Sequence, residues 1–161
     1  MAHKTGFQPS VIYQDPKAAM RWLEAAFGFE VAIYIEDDAG GFVHCQMRYG
    51  DGLVSVGQEW DEPFKSPLKL GGKNTQLTSL TIDTDVDAHC EHARAAGAVI
   101  VAEPETQFYG DRSYRCRDPE GHYWSISRTV EEVTREAAEE RVPGLKITGW
   151  VYWTPRGPKH S

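Results

Sequence analysis

Residues 109–127 read YGDRSYRCRDPEGHYWSIS. The Asp118-Pro119-Glu120-Gly121 stretch concentrates the residue types that close tight turns, so the runs on either side fold back on each other as a hairpin. After the turn, HYWSIS alternates, setting Tyr123, Ser125 and Ser127 against Trp124 and Ile126. One face belongs to a core. The other, with a serine at its centre, is left for a different purpose.

An earlier part of the chain has the same layout. Residues 41–49 and 53–59 form a second hairpin about Gly50-Asp51-Gly52. Each hairpin follows a unit that runs strand, Asp, helix, Gly, strand: residues 10–35 and residues 79–104. In the first unit Asp15 is placed to cap the helix, Pro16 sits where its missing N–H costs nothing, and Gly28 stops it. Ala19, Trp22, Leu23, Ala26 and Phe27 form its apolar stripe. In the second, Asp85 caps, Val86, His89, Cys90 and Ala93 form the stripe, and Gly97 ends it. The chain is thus an internal repeat, βαβββ twice over: an α+β fold with helices on one side of antiparallel sheets. Module one takes residues 7–60, a Pro-, Gly- and Lys-rich linker takes 61–74, and module two takes 75–128. Residues 129–161 are an extension. Thr129 and Glu132 have capping-box spacing for a helix over 129–141, and LKITGWVYW (145–153) reads as a last strand.

Composition narrows the function classes. With 40% hydrophobic and 25% charged residues, the chain resembles a soluble globular domain, and no apolar run reaches membrane-spanning length. A net charge of −7 argues against a nucleic-acid partner, while a negative field is compatible with a cationic ligand. The N-terminus has no signal-peptide pattern and the three cysteines no CxxC spacing, which reads as a cytoplasmic protein with reduced thiols.

The paired layout, DVDAHCEHARAAGA (85–98) and the ending GDR…RDPEGHYW resemble the vicinal oxygen chelate superfamily of glyoxalases, extradiol dioxygenases and bleomycin-resistance proteins. FVHCQMRYGDG (42–52) is similar to the third strand of its PhnB-like subgroup. The resemblance implies a cupped sheet around a pocket, a homodimer, and metal ligands on four central strands. Carried over, those positions fall on Gln8, Ser55, Thr78 (with Leu77 and Gln76 as alternatives) and Ser125. A divalent ion gives up its water shell only for donors as good as imidazole or carboxylate, so no metal and no other cofactor is expected. The same positions weigh against metal-dependent glyoxalase or dioxygenase activity.

The first hairpin supplies the remaining pocket residues. A turn at Gly50-Asp51 pairs Arg48 with Leu53 and Gln46 with Ser55; a turn at Asp51-Gly52 pairs Arg48 with Ser55 and His44 with Glu59. Either register puts His44, Gln46 and Arg48 on the face of Ser55 and Glu59. The expected pocket therefore holds Gln8, Ser10, His44, Gln46, Arg48, Ser55, Tyr123 and Ser125, with aromatic rims from Trp60 and Tyr109. Polar handles among aromatic walls suit a flat organic ligand. The primary expectation is a metal-independent protein that sequesters such a small molecule, with no nucleic acid or membrane partner. The alternative is a metal-free lyase or isomerase in which His44, oriented by Glu59, is the base and Arg48 anchors an anion.

Overall fold

The computed structural model describes residues 6–150. Module one runs β1 (Ser10–Tyr13), α1 (Pro16–Phe27), β2 (Glu30–Glu36), β3 (Phe42–Tyr49) and β4 (Gly52–Gln58). Module two repeats it as β5 (Leu77–Thr81), α2 (Val86–Ala95), β6 (Val99–Thr106), β7 (Asp111–Arg117) and β8 (Tyr123–Thr129). A short 3₁₀ turn, Pro67–Leu70, interrupts the segment between them, and α3 (Arg135–Arg141) follows β8.

The helix signals act locally and the helices form where they stand. Asp15 accepts a hydrogen bond from Ala18 N, Pro16 opens α1, and Gly28 closes it with φ +77°. Asp85 caps α2 in the same way through Ala88 N. Both helices bury their stripes, Ala19, Leu23, Ala26 and Phe27 from α1 and Val86, Cys90 and Ala93 from α2, in one apolar cluster shared by the modules. Trp124 is its centre: fully buried, it meets Phe27 and Phe29 edge-on at 5.3 and 6.0 Å. Trp22 joins the modules by donating Nε1–H to Ala96 O at 2.8 Å.

The sheets are mixed rather than purely antiparallel, with orders β1-β4-β3-β2 and β5-β8-β7-β6. The hairpins are antiparallel as expected, but β1 pairs with β4, and β5 with β8, in parallel. The helix carries the chain from β1 to the far edge, and the meander that returns from there must end alongside β1. The first hairpin adopts the Gly50-Asp51 register, with Gln46 opposite Ser55 and Arg48 opposite Leu53.

The extension differs from expectation. Thr129 ends β8, and the helix starts six residues later behind Thr134, whose hydroxyl accepts from Ala137 N. Competition from the sheet ladder overrides the capping-box spacing at Thr129. Residues 145–150 form no strand, and the rest of LKITGWVYW lies outside the described residues. The extension packs over the β6–β7 turn, where Arg141 bonds Phe108 O and the Glu131 carboxylate, and Trp150 donates Nε1–H to Val133 O.

Candidate functional site

Alternation in β3 and β4 sends Cys45, Met47, Val54 and Val56 under the helices and leaves His44, Gln46 and Ser55 on the open face. Over one end of that face the 59–76 segment folds back as a wall, enclosing a cavity of about 900 Å³. Ser10 and Ile12 of β1, His44 of β3, and Ser55 and Gly57 of β4 form its floor. Trp60, Pro63, Phe64 and Leu70 form the wall, and His122 enters from module two. Gly57 keeps the floor open to β1, because a Cβ there would stand 2.8 Å from Ile12 Cδ1. The Trp60 and Phe64 rings stack with centroids 4.5 Å apart and 17° between planes, and both remain exposed.

The Asp118–Gly121 turn of module two holds this wall in place. Asp118 is buried; its Oδ2 accepts from the Tyr13 hydroxyl at 2.7 Å and from Trp124 Nε1 at 3.1 Å, and its Oδ1 from the N–H groups of Glu120 and His122. Burial pushes the Asp118 carboxyl above its ordinary range, and burial together with the Asp118 charge pushes the Tyr13 phenol up. Glu120 accepts from Gln14 N and Asp15 N of module one and from Ser66 Oγ of the wall. Asn74 donates to Gly121 O at 2.9 Å. One tight turn thereby fixes both the entrance to α1 and the cavity wall.

Of the expected site residues, Ser10, His44, Ser55, Glu59 and Trp60 line the cavity together. Gln8 stands behind Ser55, donating its Nε2–H to Ser55 Oγ at 2.8 Å. Gln46 neighbours Ser55 in the ladder without lining the cavity. Several placements correct the sequence reading. Arg48 does not line the cavity, and Glu30, opposite it on β2, takes its Nε and Nη2. Glu59 does not orient His44; it accepts from Lys69 Nζ at 2.6 Å and Ser66 N at 2.9 Å, and the Lys69 ammonium holds its carboxyl below the usual range. Tyr123 and Ser125 lie on the open face of the second sheet, beside Leu77 and Ser79, and neither lines the cavity. Tyr109 lies in the β6–β7 turn against Phe108, also away from the cavity.

Other residues were missed or misplaced. His122 is half-buried and donates Nε2–H to Ile12 O at 2.6 Å. Phe64, Lys65 and Lys73 come from a segment whose Pro and Gly content read as a mere connection. Cys116 lies buried under the helices, and burial pushes its thiol up to about 12. His89 stacks on Phe27 and shares a hydrogen bond with the Tyr114 hydroxyl, and burial lowers its pKa.

The superfamily's metal chemistry can be tested on these donors. On the fifth strand Thr78 faces inward opposite Trp124, and Leu77 and Ser79 take the open face. The carried-over ligand positions are then Gln8, Ser55, Leu77 or Ser79, and Ser125, and none of these is an imidazole, carboxylate or thiolate. This set does not fit a divalent ion. Cys90, Glu91 and Glu103 do gather on α2 and β6, but Arg94 already occupies both carboxylates.

Residues 7–126 match the model of the Glyoxalase/Bleomycin resistance protein/Dioxygenase superfamily. The chain belongs to this superfamily. The chain is similar to TioX from Micromonospora sp. ML1, 30% identical, with a TM-score of 0.61 over 81% of this chain and all of that one. A superfamily member from Sphaerobacter thermophilus shares the fold at 18% identity and a TM-score of 0.61, covering 78% of this chain and 98% of its own. The Mycobacterium tuberculosis protein Rv0887c is 30% identical over 132 residues, 80% of this chain and 76% of its own. Among the described residues, no helix is long and apolar enough to cross a membrane.

Proposed function

We propose that the chain is a metal-independent binding protein of the bleomycin-resistance type that sequesters a flat organic molecule without transforming it. The observation that carries this reading is the exposed Trp60–Phe64 stack beside a polar floor of Ser10, His44 and Ser55. A stack of two solvent-facing rings offers a planar surface for a third, worth about 0.5–1.5 kcal/mol beyond the area it buries. The floor hydroxyls and imidazole supply hydrogen bonds that fix orientation. Catalysis would need an oriented base and a charge stabiliser, yet Glu59 and Arg48 are both committed elsewhere. That favours sequestration over the lyase or isomerase alternative.

The ligand site is proposed to be completed in a homodimer. The open face of module one carries exposed Ile33, Ile35 and Leu53 beside His44 and Ser55, and that of module two carries exposed Leu77 and Val99 beside Tyr123 and Ser125. Laid against each other from two copies, these faces bury both apolar sets and form a closed cup.

The test is direct binding of planar aromatic compounds, followed by quenching of tryptophan emission in wild type and in Trp60→Ala. Saturable quenching with at least one ring system, weakened about tenfold in Trp60→Ala, is expected. Equal binding by the variant overturns the platform. Recovery of a chemically altered compound overturns sequestration.

A further inference from the structure

The charge inside the cavity runs against the charge of the molecule. The chain carries −7 overall, yet among the described residues the cavity is lined by two lysines, Lys65 and Lys73, and a single carboxylate, Glu59. That carboxylate is already neutralised: Lys69 Nζ stands 2.6 Å from Oε2, and Ser66 N donates to Oε1. A cationic ligand would therefore find the lining carboxylate already taken. The lysines are differently placed. Lys65 has a largely covered side chain and pairs at 3.4 Å with Glu62, whose own side chain is 92% exposed and readily drawn back into water. Lys73 follows Gly71 and Gly72, both at positive φ, which reverse the chain so that it returns over the cavity.

We infer that the ligand is a flat aromatic acid, its ring lying on Trp60 and Phe64 and its carboxylate held by Lys65 and Lys73. The aromatic platform and both lysines belong to one short segment, the 59–76 wall, and line the same cavity. Ser10, Ser55 and the His44 ring lie below, where hydrogen-bonding substituents on the ring would point. This assignment rests on the reading of the cavity as a site for flat organic molecules and narrows it to one charge class.

Calorimetric titration of the full chain with naphthoic acid, naphthamide and naphthylmethylamine tests it, in low and high salt, since the three share a ring system and differ in charge. The acid is expected to bind about fivefold more tightly than the amide, the amine more weakly than either, and the acid's advantage to shrink in high salt. In the Lys65→Gln/Lys73→Gln variant, checked for wild-type melting, the ratio of acid to amide affinity should fall to about one. An amine that binds as well as the acid, or an acid preference that survives in the double variant, overturns the anion assignment while leaving the flat-ligand reading standing. If none of the three compounds binds, the flat-ligand reading itself fails and the assignment falls with it.

Discussion

Gly110 sits in the GDR turn with φ +98°, and its carbonyl accepts from both Val130 N and Glu131 N as the chain leaves β8. A Cβ there would stand 2.1 Å from Glu131 O, so the backbone of the extension leaves no room for any side chain. Gly97 has the same φ of +98°, but a Cβ added to it would meet nothing within 4 Å, which makes it an internal control. Gly97→Ala should cost about 1–2 kcal/mol from the left-handed conformation alone. Gly110→Ala should cost about 2–3 kcal/mol more, because backbone must move as well. Paired urea denaturation of the two variants checks this; equal losses would show that the close approach does not matter. The motif residue is thus a docking point for the extension. Arg112, two residues on, binds Asp87 in the first turn of α2 through both Nε and Nη2, and so ties the turn to the helix as well as to its hairpin.

Among the elements, the 59–76 wall depends on contacts far from it in sequence. Its Ser66 is fully buried and donates to Glu120, fifty-four residues away, in a carboxylate that also caps Gln14 N and Asp15 N. Glu120→Ala leaves the buried Ser66 hydroxyl without its acceptor and returns the Gln14 and Asp15 N–H groups to water, and should cost about 1–3 kcal/mol. Its more telling effect is local: amide exchange should quicken in residues 61–74 and at the start of α1, and the affinity of any cavity ligand should drop with it. Hydrogen exchange in wild type and variant checks this, and uniform quickening across the chain would mean a global loss instead. This dependence also explains what the sequence could and could not disclose. Asp15, Pro16, Gly28 and Asp85 act on neighbours within a turn, and the helices they predict are present. The open-face residues of β3 and β4 were legible because alternation is local once the hairpin turn is fixed. The wall was not. Nothing near Phe64 or Lys73 indicates that a glutamate in another module draws their segment over the first sheet. The bond that takes Arg48 out of the cavity likewise comes from a strand pairing, Glu30 opposite Arg48, that hairpin reading does not include.

At the scale of the whole molecule, the internal repeat leaves the chain with two half-cups rather than one cup. A shared core joins the modules, with Tyr13 and Trp124 meeting at the buried Asp118 carboxylate, while each open face still carries exposed aliphatic side chains set among polar ones. Ile33, Ile35 and Leu53 on one face, and Leu77 and Val99 on the other, face water at a cost that mutual burial removes, at roughly 25 cal/mol for each Å² of apolar surface covered. Because the two faces differ, a dimer that pairs module one of each copy with module two of the other satisfies both at once and closes by two-fold symmetry. It also brings Tyr123 and Ser125 of one copy over His44 and Ser55 of the other, uniting the two groups that a single chain holds apart. The expected outcome in sedimentation velocity is a dimer for wild type. Ile33→Glu and Leu77→Glu, on opposite faces, should each yield monomer, and each should weaken ligand binding without moving the far-UV spectrum. A single face whose substitution breaks the dimer, with the other silent, would point to a like-with-like interface and leave each chain with its own half-cup.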